Sequence, residues 1–213
     1  EIAILGRFLA ELQHTYGIEA HSLDVGGGFA VRYTDADAPI PLPQLCQTIT
    51  AACERQKQLH GLALERILIE PGRSIVAQAG LTLYTVGFQK QTAHRHYLFV
   101  DGGMSDNIRP ALYQAAYACD VANRMNDPKT VRTCVAGKCC ESGDVLIEEV
   151  MLPPCQAGDL LAVYTTGAYG FSMASHYNRL PRPAVVFIKD GQARCVVRRE
   201  SYADLLRGED VET

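Results

Sequence analysis

Two apolar runs end in turns that expose backbone: Leu23-Asp24-Val25 in Gly26-Gly27-Gly28, and roughly forty residues later Ile67-Leu68-Ile69 in Glu70-Pro71-Gly72-Arg73. The residues around them carry helical periodicity. Ile4, Leu5, Phe8, Leu9 and Leu12 recur at spacings of three and four up to Gly17, which predicts an amphipathic helix over 1–17. A strand over 18–25 follows. Pro41 to His60 predict a second helix, with Leu45, Ile49, Ala52 and Cys53 on one face and Gly61 as its stop. A strand over 67–69 and a short helix over 74–79 complete the series. Helix, strand, helix, strand, helix is the grammar of βα units, whose strands lie parallel with ligands at their carboxyl ends.

After Gly80 the pattern changes. Segments 81–88, 97–100, 131–135, 145–150, 160–164, 184–188 and 193–197 are short, β-branched or aromatic, and are separated by turn signals such as Asp101-Gly102-Gly103 and Lys189-Asp190-Gly191. Ser201 to Leu206 predict one helical turn. The expected fold class is α/β plus all-β, with a partial barrel domain over 1–80 and a β domain over 81–213. A closed parallel barrel takes eight βα units and this chain has two, so its first domain is expected to be the last part of one.

A net charge of −4 over 213 residues argues against a nucleic-acid partner, and the one basic cluster, Arg194 with Arg198 and Arg199, reads as an exposed strand face. No apolar stretch reaches the roughly twenty residues needed to span a bilayer, and Glu1-Ile2-Ala3-Ile4 lacks a basic flank and a cleavage site, so a cytoplasmic protein without a membrane partner is expected. The eight cysteines are scattered, with Cys139 and Cys140 adjacent, and read as reduced thiols. His94 and His96 flank Arg95 in a predicted hairpin with no second ligand pair, so no metal is expected.

A glycine triplet lets main-chain N–H groups reach a phosphate with no Cβ in the way, and a helix that follows adds the positive end of its dipole. Glu70 beside such a cradle is unfavourable unless the same ligand also carries a cation. A protonated pyridine ring would supply one, and the combination suggests pyridoxal 5'-phosphate. The second half adds further candidates. Arg109 and Tyr113, four apart, share a face if that stretch is helical, and the Arg fork suits a substrate carboxylate; a plain surface ion pair is the alternative. In Gly137-Lys138-Cys139-Cys140-Glu141-Ser142-Gly143-Asp144 a thiol could act as an acid or nucleophile, and Cys140 is the better candidate because Cys139 would point the other way along an extended backbone. Gly167-Ala168-Tyr169-Gly170 could deliver a tyrosine to a ligand, or simply bury one. His176, in Ser175-His176-Tyr177-Asn178, has no partner legible in the sequence and reads as structural.

Taken in order, Gly26-Gly27-Gly28, Glu70-Pro71-Gly72-Arg73, Asp101-Gly102-Gly103, Cys140-Glu141-Ser142-Gly143-Asp144 and Gly167-Ala168-Tyr169 resemble the pyridoxal-phosphate decarboxylases of the alanine-racemase-like fold group, over nearly the whole chain. The resemblance implies the C-terminal portion of a TIM-type (β/α)8 barrel followed by a β-sandwich or β-barrel domain. It implies that Gly26, Gly27, Gly28, Gly72 and Arg73 hold the cofactor phosphate with the Tyr169 hydroxyl, and that Glu70 pairs with the pyridine nitrogen. Arg73, Arg109 and Tyr113 would bind a substrate carboxylate, Glu141 a distal ammonium group, and Cys140 would be the proton donor once carbon dioxide has left. An ordinary thiol, with a pKa of about 8.5, still holds its proton at neutral pH. The resemblance further implies a homodimer in which Cys140 and Glu141 reach the other subunit's cofactor.

The residue after the cysteine separates branches of the family: a shorter Asp would favour ornithine, and Glu141 favours diaminopimelate. Relatives acting on arginine, ornithine or carboxynorspermidine, and a non-catalytic dimerising paralogue, are the alternatives. One departure stands out. The family's Schiff-base lysine lies on the first barrel strand, and Lys57, Lys90, Lys129, Lys138 and Lys189 are the only lysines here, none at the ligand end of a parallel strand. This chain alone is therefore expected to be inactive, and activity is expected of a longer parent protein.

Overall fold

A computed structural model describes residues 1–209. The chain divides into two compact units, one of residues 1–32 with 37–75, the other of residues 33–36 with the chain from Val76 onward. Among the described residues no helix is long and apolar enough to cross a membrane.

The first unit holds α1 (Ile2–Tyr16), β1 (Ser22–Asp24), α2 (Leu42–His60) and β2 (Arg66–Leu68). Both long helices stop where glycine takes a left-handed conformation that other residues adopt at a cost: Gly17 at φ 67° and Gly61 at φ 62°. At the first of these the Ile18 N–H donates back to the Leu12 carbonyl at 3.3 Å, closing the last turn. β1 and β2 pair in parallel, Leu23 opposite Ile67, as βα grammar requires. The first strand is shorter than its apolar run because only residues 22–24 find a ladder partner in 66–68. Leu23, Cys53, Leu62 and Leu64 form a small core, with Leu5, Leu9 and Ile49 packed against it. Ile4 and Phe8, which belong to the same apolar pattern as Leu5 and Leu9, lie 61% and 54% exposed. Gly6 faces Gln56 so closely that any Cβ would collide with that side chain, so glycine sets the approach of α1 to α2.

A short helix, α3 (Arg73–Val76), and a 3-10 turn lead into the second unit. Its six-stranded sheet contains β3 (Leu81–Gln91), β4 (His96–Val100), β5 (Cys119–Val121), β6 (Val131–Ala136), β7 (Val145–Leu152) and β8 (Leu160–Tyr164) in the order β5-β8-β3-β4-β6-β7. Every pairing is antiparallel except β4 with β6. β5 and β7, at opposite ends of this order, also lie against each other, so the sheet curls around its core of Tyr84, Val86, Leu98, Val135, Leu152 and Leu161. β3 bends at Gly87, where its register with β4 shifts. β5 is the strand that the sequence pattern does not announce. Its three residues carry no turn signal and become a strand because β8 offers them a ladder. α4 (Arg109–Tyr113) connects β4 to β5. β9 (Val185–Lys189) and β10 (Gln192–Val197) form a separate hairpin, with Asp190 and Gly191 both at positive φ, the turn that matches strand twist. α5 (Tyr202–Leu205) starts at a capping box between Ser201 and Asp204. Arg198, part of the basic cluster, is bound at both terminal nitrogens by Asp204, each at 2.6 Å.

Candidate functional site

In the first unit the two glycine-bearing turns meet. Beyond the β1–β2 ladder the Val25 N–H donates to the Leu68 carbonyl at 3.1 Å, and the Glu70 N–H donates to the Gly26 carbonyl at 2.8 Å. The Gly26 N–H is held by the Asp24 carboxylate at 2.8 Å. Gly27 lies against the Glu70 carbonyl so closely that a Cβ has no room. Gly26 and Gly28 take φ of 76° and 78°, and the space where their side chains would stand is open. Left-handed residues in a turn with nothing above them form a concavity lined by backbone dipoles, which suits a small anion. Glu70 and Gly72 are exposed and Arg73 is half-buried. Beside the loop lies a cavity of about 530 Å³ whose other walls are mostly apolar, Ile2, Leu5, Ile40 and Leu45 among them, with Glu1 and Asp24 also lining it.

In the second unit α4 turns Arg109 inward and Tyr113 outward. Arg109 is 6% exposed and Tyr113 60%. The two are four apart on one short helix but do not share an environment, contrary to the expectation from their spacing. Nor does Arg109 form a surface ion pair. Its Nη1 donates to the Tyr33 hydroxyl at 2.8 Å and to the Tyr117 hydroxyl at 3.1 Å. Those two rings meet edge to face, 5.3 Å apart at 88°. The guanidinium carbon lies 5.3 Å from the Tyr33 ring centre and 5.9 Å from that of Tyr169. Burial works against the guanidinium charge, but the phenols, led by Tyr33, outweigh it and raise the pKa above the ordinary arginine value. Tyr169 itself stands at φ 59° and is 46% exposed. Its turn is strapped to the start of β3: the Thr166 N–H donates to the Gly80 carbonyl and the Gly167 N–H to the Ala77 carbonyl, both at 3.0 Å. Gly80 and Gly167 have no space for side chains at this crossing.

The loop over 137–144 is organised by one buried carboxylate. Asp144, 3% exposed, accepts the Met104 N–H at 2.6 Å and the Cys139 N–H at 2.7 Å. A side chain at Gly103 or Gly137 would run into that carboxylate, and the Lys138 N–H donates to the Gly102 carbonyl at 3.0 Å. Gly103 and Gly137 thus make room for Asp144. Cys139 is buried, which raises its thiol pKa, while Cys140 and Glu141 are exposed, so the adjacent cysteines do point to opposite sides. One oxygen of Glu141, Oε2, accepts the Tyr177 hydroxyl at 3.1 Å. His176 is partnered after all: its Nε2 lies 2.6 Å from Glu200 Oε2.

Sequence reading missed Tyr33, Tyr117, Asp144 and Tyr177. Asp144 closes the Cys140-to-Asp144 motif, and the glycines at 103 and 137 were the available hint that something had to fit between the loops. Nothing in the sequence pairs Tyr33 with Arg109, 76 residues away.

Residues 21–167 match the family model described as the C-terminal sheet domain of pyridoxal-dependent decarboxylases. The chain is 50% identical over 200 residues to the diaminopimelate decarboxylases of Halalkalibacterium halodurans and Bacillus subtilis, covering 93% of this chain and 46% of each of those proteins. It therefore spans about half the length of these curated relatives. Its fold superposes on the crystal structure of diaminopimelate decarboxylase from M. jannaschii in complex with L-lysine with a TM-score of 0.90 at 32% identity, over 99% of this chain and 48% of that one. By family model, by identity to curated relatives and by fold, the chain belongs to the pyridoxal-dependent decarboxylase family.

Proposed function

We propose that this chain forms part of an enzyme that decarboxylates meso-2,6-diaminopimelate to L-lysine and carbon dioxide with pyridoxal 5'-phosphate. One observation carries the reading: a loop fixed through Asp144 presents an exposed thiol and an exposed carboxylate side by side, Cys140 and Glu141, in a chain half identical to proteins named diaminopimelate decarboxylase. The first unit fits as the final βα units of a (β/α)8 barrel, domain 1–80, and the curled sheet as the β domain, 81–213. The open, left-handed glycine loop over Gly26 to Gly28, with Gly72 and Arg73, would hold the cofactor phosphate, Tyr169 would add its hydroxyl, and Glu70 would pair with the pyridine nitrogen and favour its protonated form. When bound, the cofactor supplies an electron sink for the pair released as carbon dioxide departs.

The chain's own residues do the rest. Arg109 binds and orients a substrate carboxylate, and the phenols of Tyr33 and Tyr117 hold it in place for this. Glu141 pairs with the distal ammonium group. Cys140 holds a proton on Sγ and delivers it to the carbon that has lost its carboxylate. The active unit is a cytoplasmic homodimer in which Cys140 and Glu141 serve the partner's cofactor.

A substrate panel on the cofactor-loaded, full-length parent tests the reading. Diaminopimelate should be consumed at least a hundredfold faster, by kcat/KM, than ornithine, arginine or carboxynorspermidine. A preference for ornithine or arginine would overturn the assigned substrate.

A further inference from the structure

The Tyr177 hydroxyl crosses 36 residues of sequence to meet Glu141 Oε2 at 3.1 Å. The segment that carries it is fixed at several points. On one side of Tyr177, His176 Nε2 lies 2.6 Å from Glu200 Oε2, and the Ser175 N–H donates to the Ser105 carbonyl at 2.9 Å. Glu200 is in turn held by Arg182, whose Nε and Nη2 reach its Oε1 at 3.0 and 2.6 Å and whose N–H reaches its Oε2 at 2.9 Å. Arg182 also lies 5.8 Å from the centre of the Phe171 ring. On the other side of Tyr177, Asn178 and Arg179 stand at φ 54° and 56°, two consecutive non-glycine residues in the left-handed region. Side chains enter that region at a cost, and successive cases persist where the surroundings impose them.

We infer that Tyr177 is a positioning residue for Glu141: its hydroxyl fixes the rotamer of the carboxylate and occupies Oε2, so that the substrate's distal ammonium group is met at a defined place. An exposed glutamate otherwise samples several rotamers, and each substrate that binds must select one. A hydrogen bond from a phenol to a carboxylate is of the stronger, charge-assisted kind and suits such a role. The Glu200 clamp, acting through His176 and Arg182, holds the phenol where Glu141 needs it. This inference rests on the assignment of Glu141 to the distal ammonium group proposed above.

The test is a double-mutant cycle on the full-length, cofactor-loaded parent with meso-diaminopimelate, using Tyr177→Phe, Glu141→Gln and the pair. Tyr177→Phe should raise KM about tenfold while kcat stays within twofold of wild type. In the Glu141→Gln background the same change should have no further effect, because the carboxylate it orients is already gone. A purely structural tyrosine would lower kcat and KM-based efficiency alike in both backgrounds. Near-wild-type KM for Tyr177→Phe, or effects of the two changes that simply multiply, would overturn the inference while leaving the proposed reaction intact. A wild-type parent that forms no lysine would instead overturn the reaction assignment, and the inference with it. Glu200→Gln, which loosens the clamp without touching Glu141, should move KM in the same direction as Tyr177→Phe.

Discussion

Gly26 and Glu70 are joined backbone to backbone: the Glu70 N–H donates to the Gly26 carbonyl at 2.8 Å, just past the last paired residues of two parallel strands. This single bond brings the two turns together at the carboxyl ends of β1 and β2, where βα architectures place ligands. Gly27, the neighbour in the loop, tolerates the approach only because it has no side chain.

Gly27→Ala should therefore force the two strand ends apart. The obstacle is the Glu70 backbone carbonyl, which cannot swing away as a flexible side chain could. A loss of about 2 kcal/mol is expected in urea unfolding, together with weaker pyridoxal phosphate binding by the parent.

Asp144→Ala should loosen the loop that carries Cys140 and Glu141. It leaves the buried Cys139 N–H and the half-buried Met104 N–H without their acceptor, at a cost of about 3 kcal/mol. Asp144→Asn keeps the shape and one acceptor oxygen, so it should lose roughly half as much. Hydrogen exchange at the Cys139 amide should accelerate in both variants.

The cysteines should sort by burial when the folded chain is alkylated at mildly alkaline pH. Cys140 and Cys195 are exposed and should react first. Cys119 should react only on unfolding, because burial, with Asp120 beside it, pushes its thiol pKa up to about 12. In the parent, Cys140→Ala should lower the rate of lysine formation at least a hundredfold and leave the unfolding midpoint unchanged, as expected for an exposed side chain.

Acid should destabilise the second unit through Asp159. This carboxylate is buried, which by itself raises its pKa, but hydrogen bonds from Asn123 and the Gln156 N–H, with Arg124 at 3.0 Å, outweigh burial and hold it below the ordinary value of 3.8. A carboxyl group whose folded pKa is depressed contributes stability that is complete above its unfolded pKa and is lost as pH falls through the folded one. Glu200, held down to about 2 chiefly by Arg182, acts in the same sense. Stability should thus be flat from neutrality to about pH 5 and decline below pH 4, and Asp159→Asn should flatten that decline while lowering stability at neutral pH.

All the helices but α4, both parallel strands and all but one strand of the second unit were legible in the sequence because each is encoded locally, by 3.6- or 2-residue periodicity and by glycine stops at 17 and 61. β5 was not, since three residues without a turn signal become a strand only when β8 pairs with them. The site was legible as far as motifs run. The meeting of the glycine loop with Glu70 follows from the strand ends. Cys140 is the exposed thiol and Cys139 the buried one, but the backbone there bends instead of running extended, with the Glu141 N–H donating to the Cys139 carbonyl, so strand alternation is not the reason. The environment of Arg109 was not legible, because a buried guanidinium held by Tyr33 and Tyr117 depends on contacts made only in three dimensions. The partner of His176, which reads as structural, was not legible for the same reason: Glu200 lies 24 residues away across the β9–β10 hairpin.

The most direct test is the product formed from meso-diaminopimelate by the full-length parent loaded with pyridoxal phosphate. The structure-based account predicts L-lysine and carbon dioxide in equal amounts, with activity lost when the cofactor is removed and restored when it is returned. Intact diaminopimelate after prolonged incubation with cofactor-loaded protein would contradict it.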